Sequence, residues 1–277
     1  MQTAFLTAAA FVALLTVAGS CTTDIDLGYR EITPVIMVQG VVTNEKTEVL
    51  ITQTRSMYDS VKGRCLPGAQ VVVSSDQGER DILVYDEEAN VYRSATGFTG
   101  TPGHTYFLSI DYKGQHFEGK SKMLLPSPVK SSGFTWFSVS GEKLLMYQIL
   151  AEDPYADQYQ RYWYRMAVND TVYRWNINSN RGNFPGEVAF DIICMTKRQY
   201  EKNDKGFSKR LLHDGDIVTI DIMPVDSGVS YYLQTQLFSE MTGITAKSNL
   251  TGGCIGVFSA MSVSHGDTIK FCIDSIK

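Results

Sequence analysis

Between Pro34 and Met123, short runs of β-branched and aromatic residues recur about every ten to fifteen positions, separated by turn-forming residues. Val35, Met37, Gln39 and Val41 alternate with Ile36, Val38, Gly40 and Val42. Both sets are mostly apolar, the pattern of a central strand covered on two faces. Further runs span 49–54, 70–75, 81–85, 91–94, 105–112 and 115–123, with turns at Pro67-Gly68, Gln77-Gly78, Pro102-Gly103 and Lys113-Gly114. Seven strands without a helical period between them predict a mainly β fold. It opens with an antiparallel sandwich of the immunoglobulin or transthyretin kind over residues 34–126.

Pro126 and Pro128 interrupt any ladder over 124–133 and place a domain boundary there. A second β-rich domain is expected over 127–277, with strands at 134–139, 143–152, 161–168, 171–177, 188–195, 217–223, 254–263 and 268–273. Asn169-Asp170 turns one hairpin, and His265-Gly266 closes the last. One helix is predicted over 227–242. Asp226 or Ser227 caps it, Val229, Tyr232, Leu233 and Leu237 recur at helical spacing, and Gly243 ends it. Its apolar stripe needs a sheet to lie on, and the second domain supplies one.

Ahead of these elements, every residue from Ala4 to Val17 is apolar except Thr7 and Thr16. As a helix this run reaches only about 21 Å, short of the roughly 30 Å hydrocarbon core. Small residues follow and then a cysteine: Ala18-Gly19-Ser20-Cys21 resembles the lipobox of bacterial lipoproteins. That resemblance implies a signal peptide over 1–20, lipidation of Cys21 and a tether over 21–33. Several acyl chains on one residue hold a protein at a membrane essentially permanently, because each buried CH₂ contributes about 0.8 kcal/mol. Asp24 and Asp26 after the cysteine resemble the surface-export signal of Bacteroidota lipoproteins, which implies exposure on the cell surface rather than in the periplasm.

Composition narrows the function classes. Hydrophobic residues at 43 % and charged residues at 20 % exclude a disordered chain and a multi-pass membrane protein. The net charge is −5 and no Lys/Arg run exceeds two residues, so binding to nucleic acid through a basic face is not expected. None of His104, His116, His213 and His265 lies in H-x-H or H-E-x-x-H spacing, and no nucleophile elbow, P-loop or dinucleotide fingerprint occurs. The sequence therefore assigns no catalytic residue, no metal ligand and no cofactor, and a non-enzymatic role is expected. His104 and His265 sit beside glycine and read as solvated turn residues. Asp86-Glu87-Glu88 and Asp214-Gly215-Asp216 read as polar turns rather than ion sites. Cys65, Cys194, Cys254 and Cys272 allow three pairings, and free thiols and disulfides both stay open.

The densest candidate chemistry is aromatic. Tyr162, Trp163, Tyr164, Tyr173 and Trp175 fall on one predicted hairpin, where flat rings serve either as a ligand platform or as core. Arg161 and Arg165 share a strand face with each other and are placed to grip a carboxylate. Asp59-Ser60-Val61, Asp170-Thr171-Val172, Asp267-Thr268-Ile269 and Asp274-Ser275-Ile276 resemble the O-glycosylation acceptor of Bacteroidota, which marks Ser60, Thr171, Thr268 and Ser275 as candidates.

Several stretches taken in order resemble one family. They are residues 35–43 and 68–73, Gly103-His104-Thr105-Tyr106, Asp153-Pro154, residues 215–220, and 248–258 with its Thr251-Gly252-Gly253-Cys254. The family is that of Bacteroidota outer-membrane lipoproteins catalogued as domain of unknown function 4249. The resemblance implies a lipid-anchored protein at the outer membrane that acts as an accessory or ligand-capture component beside a TonB-dependent receptor in nutrient uptake. An adhesin or fimbria-associated structural role is the alternative. The ligand is left open.

Overall fold

In the computed structural model the described residues are 33–54, 63–203 and 210–276. Cys21, with the expected signal peptide and most of the tether, lies outside them, as does Ser60. The first seven strands are β1 (Ile36–Thr43), β2 (Thr47–Gln53), β3 (Gln70–Ser75), β4 (Arg80–Asp86), β5 (Val91–Arg93), β6 (Thr105–Tyr112) and β7 (Gln115–Lys122), each within two residues of its expected run. There follow β8 (Val129–Val139), β9 (Glu142–Glu152), β10 (Arg161–Val168), β11 (Thr171–Ser179), β12 (Glu187–Thr196), α1 (Lys197–Lys202), β13 (Ile217–Val225) and α2 (Ser227–Thr242). The chain closes with β14 (Leu250–Thr251), β15 (Ile255–Met261), β16 (Ser264–His265) and β17 (Ile269–Lys270).

The chain is mainly β, as expected. Nine strands form one hydrogen-bonded path in the order β14-β7-β6-β3-β4-β5-β2-β1-β15. β4 makes it a sandwich. Residues 80–83 of this strand pair with β3, and 84–86 pair with β5, so the path bends there and its two halves face each other. Between the halves lies a core of Val38, Val49, Ile51, Val71, Tyr106, Ile110, Phe117 and Phe258, among others.

This first sandwich does not end at residue 126. The run expected at 254–263 as part of the second domain is instead β15, which pairs parallel to β1 from Met37↔Ile255 to Thr43↔Met261. β14 pairs with β7 at the opposite end of the same path. The two edges of the path are thus consecutive in sequence, joined only by residues 252–254, and the sheet curls almost into a closed barrel. The physical reason is burial: β1 and β7 each have an open edge, and the C-terminal segment carries the apolar Leu250, Phe258 and Ala260 that complete the core. Gly252 (φ +90°) and Gly256 (φ +119°) make the join. A Cβ on Gly252 would lie 2.1 Å from the His116 carbonyl oxygen, and one on Gly256 would lie 1.9 Å from that of Val38.

The second β unit is also a sandwich. A three-stranded sheet, β12-β9-β8, faces a sheet ordered β11-β10-β13-β16, with β17 paired to β13. Between them lie Tyr147, Ile149, Tyr162, Tyr164, Met166, Phe190, Ile220 and Phe271. The last hairpin expected at His265-Gly266 is replaced by two short strands that add to β13 separately.

α2 matches its expected bounds. Asp226 caps it with Oδ1 accepting from the Val229 N–H (2.9 Å), and Gly243 ends it at φ +71°. The other oxygen of Asp226 accepts from the Ser121 hydroxyl (2.6 Å) and the Lys122 N–H (2.8 Å), which pins the helix start to β7. Helix α1, absent from the strand reading, carries a capping box between Thr196 and Gln199.

Candidate functional site

β10 alternates strictly in burial, so its aromatic residues part to two faces. Tyr162 and Tyr164 point into the second sandwich, and Tyr173 packs against that core with its hydroxyl donating to the Cys194 carbonyl (2.9 Å). Burial pushes the Tyr173 phenol up to about 12, so it stays a donor. These three rings are core. Trp163 and Trp175 lie on the other face, edge to face, with ring centroids 6.3 Å apart and planes at 87°. The expected five-ring platform is therefore two rings, and the register explains it: Trp175 sits opposite Arg165, two places from Trp163 and on the same side.

That face is only partly open to water. Across it lie α2, through Val229, Tyr232 and Leu233, and the outer side of the first sandwich, through Val41, Val257 and Met261. The three surfaces do not close fully, and a cleft of about 400 Å³ remains between them. Its body is apolar. The Trp163 indole N–H is buried without an acceptor among the described residues, which leaves an unpaired donor on a cleft-lining ring. A buried donor left unpaired costs about 1–3 kcal/mol.

Charged groups gather on one stretch of the cleft lining. Arg165 donates from Nη2 (2.6 Å) and Nε (3.2 Å) to one oxygen of Asp221, its cross-strand neighbour. The other oxygen of Asp221 meets His265 Nδ1 at 2.7 Å, and His265 Nε2 meets Glu45 Oε1 at 2.5 Å. Glu45 comes from the β1–β2 turn, Asp221 from β13 and His265 from β16, so this chain of charges ties the two sandwiches together. The Glu45 carboxylate first, and that of Asp221 with it, raise the His265 pKa above its usual value against the opposing effect of burial. His265 is thus exposed, as expected, yet held between two carboxylates. The sequence could not show this cluster, because its members stand 176 and 44 residues apart.

Arg161 and Arg165, which share a face, do not act as a pair. Arg165 is taken up by Asp221, while the Arg161 guanidinium lies 5.3 Å from the Tyr159 ring centroid. Of the glycosylation candidates, Thr171, Thr268 and Ser275 are exposed. Cys65, Cys194 and Cys254 are buried free thiols, and Cys272 is free and exposed. Among the described residues no group of three His, Cys, Asp or Glu side chains is arranged to hold a metal, and no helix is long and apolar enough to cross a membrane.

The cleft thus has an aromatic and aliphatic body with one charged margin, the arrangement of a small-molecule site. No curated protein matches the sequence. A family model does match, from residue 22, directly after Cys21, to residue 266, so the first sandwich, α2, the cleft and all of the second sandwich but β17 and Phe271 lie within it. The chain belongs to the family described as Domain of unknown function (DUF4249).

Proposed function

We propose that this protein is a non-enzymatic lipoprotein, anchored through Cys21 to the outer membrane and exposed at the cell surface, that captures a ligand for a TonB-dependent receptor. The observation that carries the capture reading is the cleft of about 400 Å³ with Trp163 and Trp175 in its lining. That volume lies within the range typical of small-molecule sites, and the apolar lining supplies the driving force for an aromatic or aliphatic ligand. The anchoring reading rests on the cysteine that follows Ala18-Gly19-Ser20 and directly precedes the family span.

Two measurements test the two halves. Labelled palmitate should enter the mature wild-type protein and not Cys21→Ser; equal label in both defeats the anchor. Native protein extracted in detergent should co-purify with a TonB-dependent receptor, and Trp175→Ala should slow nutrient-limited growth as far as deletion does. Recovery of no receptor, together with normal growth of the deletion strain on every nutrient tried, defeats the capture reading.

A further inference from the structure

A second hollow, of about 350 Å³, opens where residues 153–160 and 180–186 meet at the start of β10 and the end of β11. Its base is held by a connected polar network. Asn180 Nδ2 donates to Asp153 Oδ2 (2.8 Å) and to the carbonyls of Gln158 (2.8 Å) and Tyr155 (3.3 Å). Asp153, itself buried, also accepts from the Tyr155 N–H (2.9 Å) and from the Tyr162 hydroxyl. Asn180 Oδ1 accepts from the Gln160 N–H (3.1 Å), and the Asn180 N–H donates to the Gln160 carbonyl (3.1 Å). Two irregular loops are thus fixed to each other and to the core tyrosine Tyr162, which gives the hollow a defined shape without apolar burial of its own.

What stands on this base is not explained by folding. Tyr159 is 51 % exposed, and its ring centroid lies 4.8 Å from the Arg181 Cζ and 5.3 Å from that of Arg161. Neither guanidinium meets a carboxylate within 4.0 Å among the described residues. Phe184 is 83 % exposed, so its ring contributes almost nothing to any core. Asp157 and Asn183 add planar polar groups to the lining. The exposed Phe184 ring, the Arg181 guanidinium and short polar side chains in one lining are the groups that recognise a sugar ring bearing an acid. The aromatic ring stacks on the sugar's C–H face, the Arg181 guanidinium takes the anion in paired hydrogen bonds, and the amide and carboxylate meet hydroxyls.

We propose that the Tyr159–Arg181–Phe184 hollow is a binding site for an anionic saccharide, a pyranose that carries a carboxylate or a sulfate. It is separate from the tryptophan cleft and does not depend on it.

The full chain is titrated calorimetrically with three oligosaccharides of equal length: a polygalacturonate fragment, which carries carboxylates alone, a κ-carrageenan fragment, which carries sulfates alone, and neutral maltotetraose. At least one of the two acids should bind, with affinity that falls as salt rises, and the neutral sugar should not. Which acid binds distinguishes carboxylate from sulfate. Arg181→Gln should weaken binding by about tenfold or more, since it removes a charge-assisted bond. Phe184→Ala should weaken it by about tenfold as well, while the exposed position leaves the melting temperature unchanged. Trp175→Ala, in the other cleft, should leave it unaltered. Failure of both acids to bind at millimolar concentration, equal binding of the neutral sugar, or wild-type affinity in both Arg181→Gln and Phe184→Ala overturns the proposal.

Discussion

Phe258→Ala tests whether the C-terminal strand closes the first sandwich. Phe258 comes from β15 and is fully buried between β1 and β7. Glycine leaves room for its ring: a Cβ on Gly40 of β1 would lie 2.9 Å from Phe258 Cδ2 and 3.2 Å from Leu108 Cδ2. Removing a buried phenyl ring costs about 3–5 kcal/mol, a large share of the roughly 5–15 kcal/mol that holds a domain folded. Gly40→Ala gives an independent check. A glycine-to-alanine change in an open strand position gains about 0.5–1 kcal/mol, but here the ring must move, and overpacking costs about 1–3 kcal/mol. With Phe258 already truncated, Leu108 becomes the nearest of these neighbours, at 3.2 Å, and the penalty shrinks to what a small shift of that flexible side chain costs. The two changes should therefore couple by about 1 kcal/mol or more in equilibrium urea unfolding followed by far-ultraviolet circular dichroism. A cost below about 1 kcal/mol for Phe258→Ala, or strict additivity of the pair, would refute the closure described.

Gly256→Ala, at φ +119° with the Val38 carbonyl oxygen 1.9 Å from the new Cβ, should destabilise by at least about 2 kcal/mol in the same assay. Maleimide labelling of the folded protein should modify Cys272 and spare the other cysteines described, since burial raises the Cys65 and Cys254 thiols and pushes Cys194 up to about 12. His265 binds its proton more tightly in the folded state than in the unfolded chain, where its pKa is about 6.5. Its contribution is therefore complete below that value and is lost as pH rises through the higher folded pKa. Urea midpoints should fall between pH 6 and pH 9 and fall less in His265→Gln. The residual slope belongs to His116, which Asp111 and Glu118 raise in the same direction, and towards pH 9 to the buried thiols of Cys65, Cys194 and Cys254.

What could be read from the chain was what period and turn chemistry govern. The strands at 70–75, 105–112 and 161–168 appear with their expected bounds, and so does the helix between Asp226 and Gly243. The capping box Thr196-Lys197-Arg198-Gln199 was equally readable, and the apolar run ahead of it masked it. The strict alternation of β10 was present in the sequence too. By that alternation alone Trp163 lies on the face opposite Tyr162 and Tyr164. Strand partnership was not readable. β15 pairs with β1 at a separation of 218 positions, Met37 with Ile255, and only the glycines Gly252 and Gly256 hint that the backbone there must pass close to another chain segment.

The unexpected partnership also accounts for the cleft. β15 presents Phe258 and Ala260 to the first core, so its alternate residues Val257, Ser259 and Met261 necessarily face outward. β10 and β13 do the same from the other side: Tyr162 and Ile220 fill the second core, while Trp163 and Met223 face out. Two sandwiches with apolar outer faces must be covered, and α2 reaches only part of the gap between them. The cleft is what remains, and its lining follows from strand period once the return of β15 is known. Had the chain divided cleanly at residue 126, β15 would not stand beside β1, and Val257, Ser259 and Met261 would not line the cleft from the side of the first sandwich.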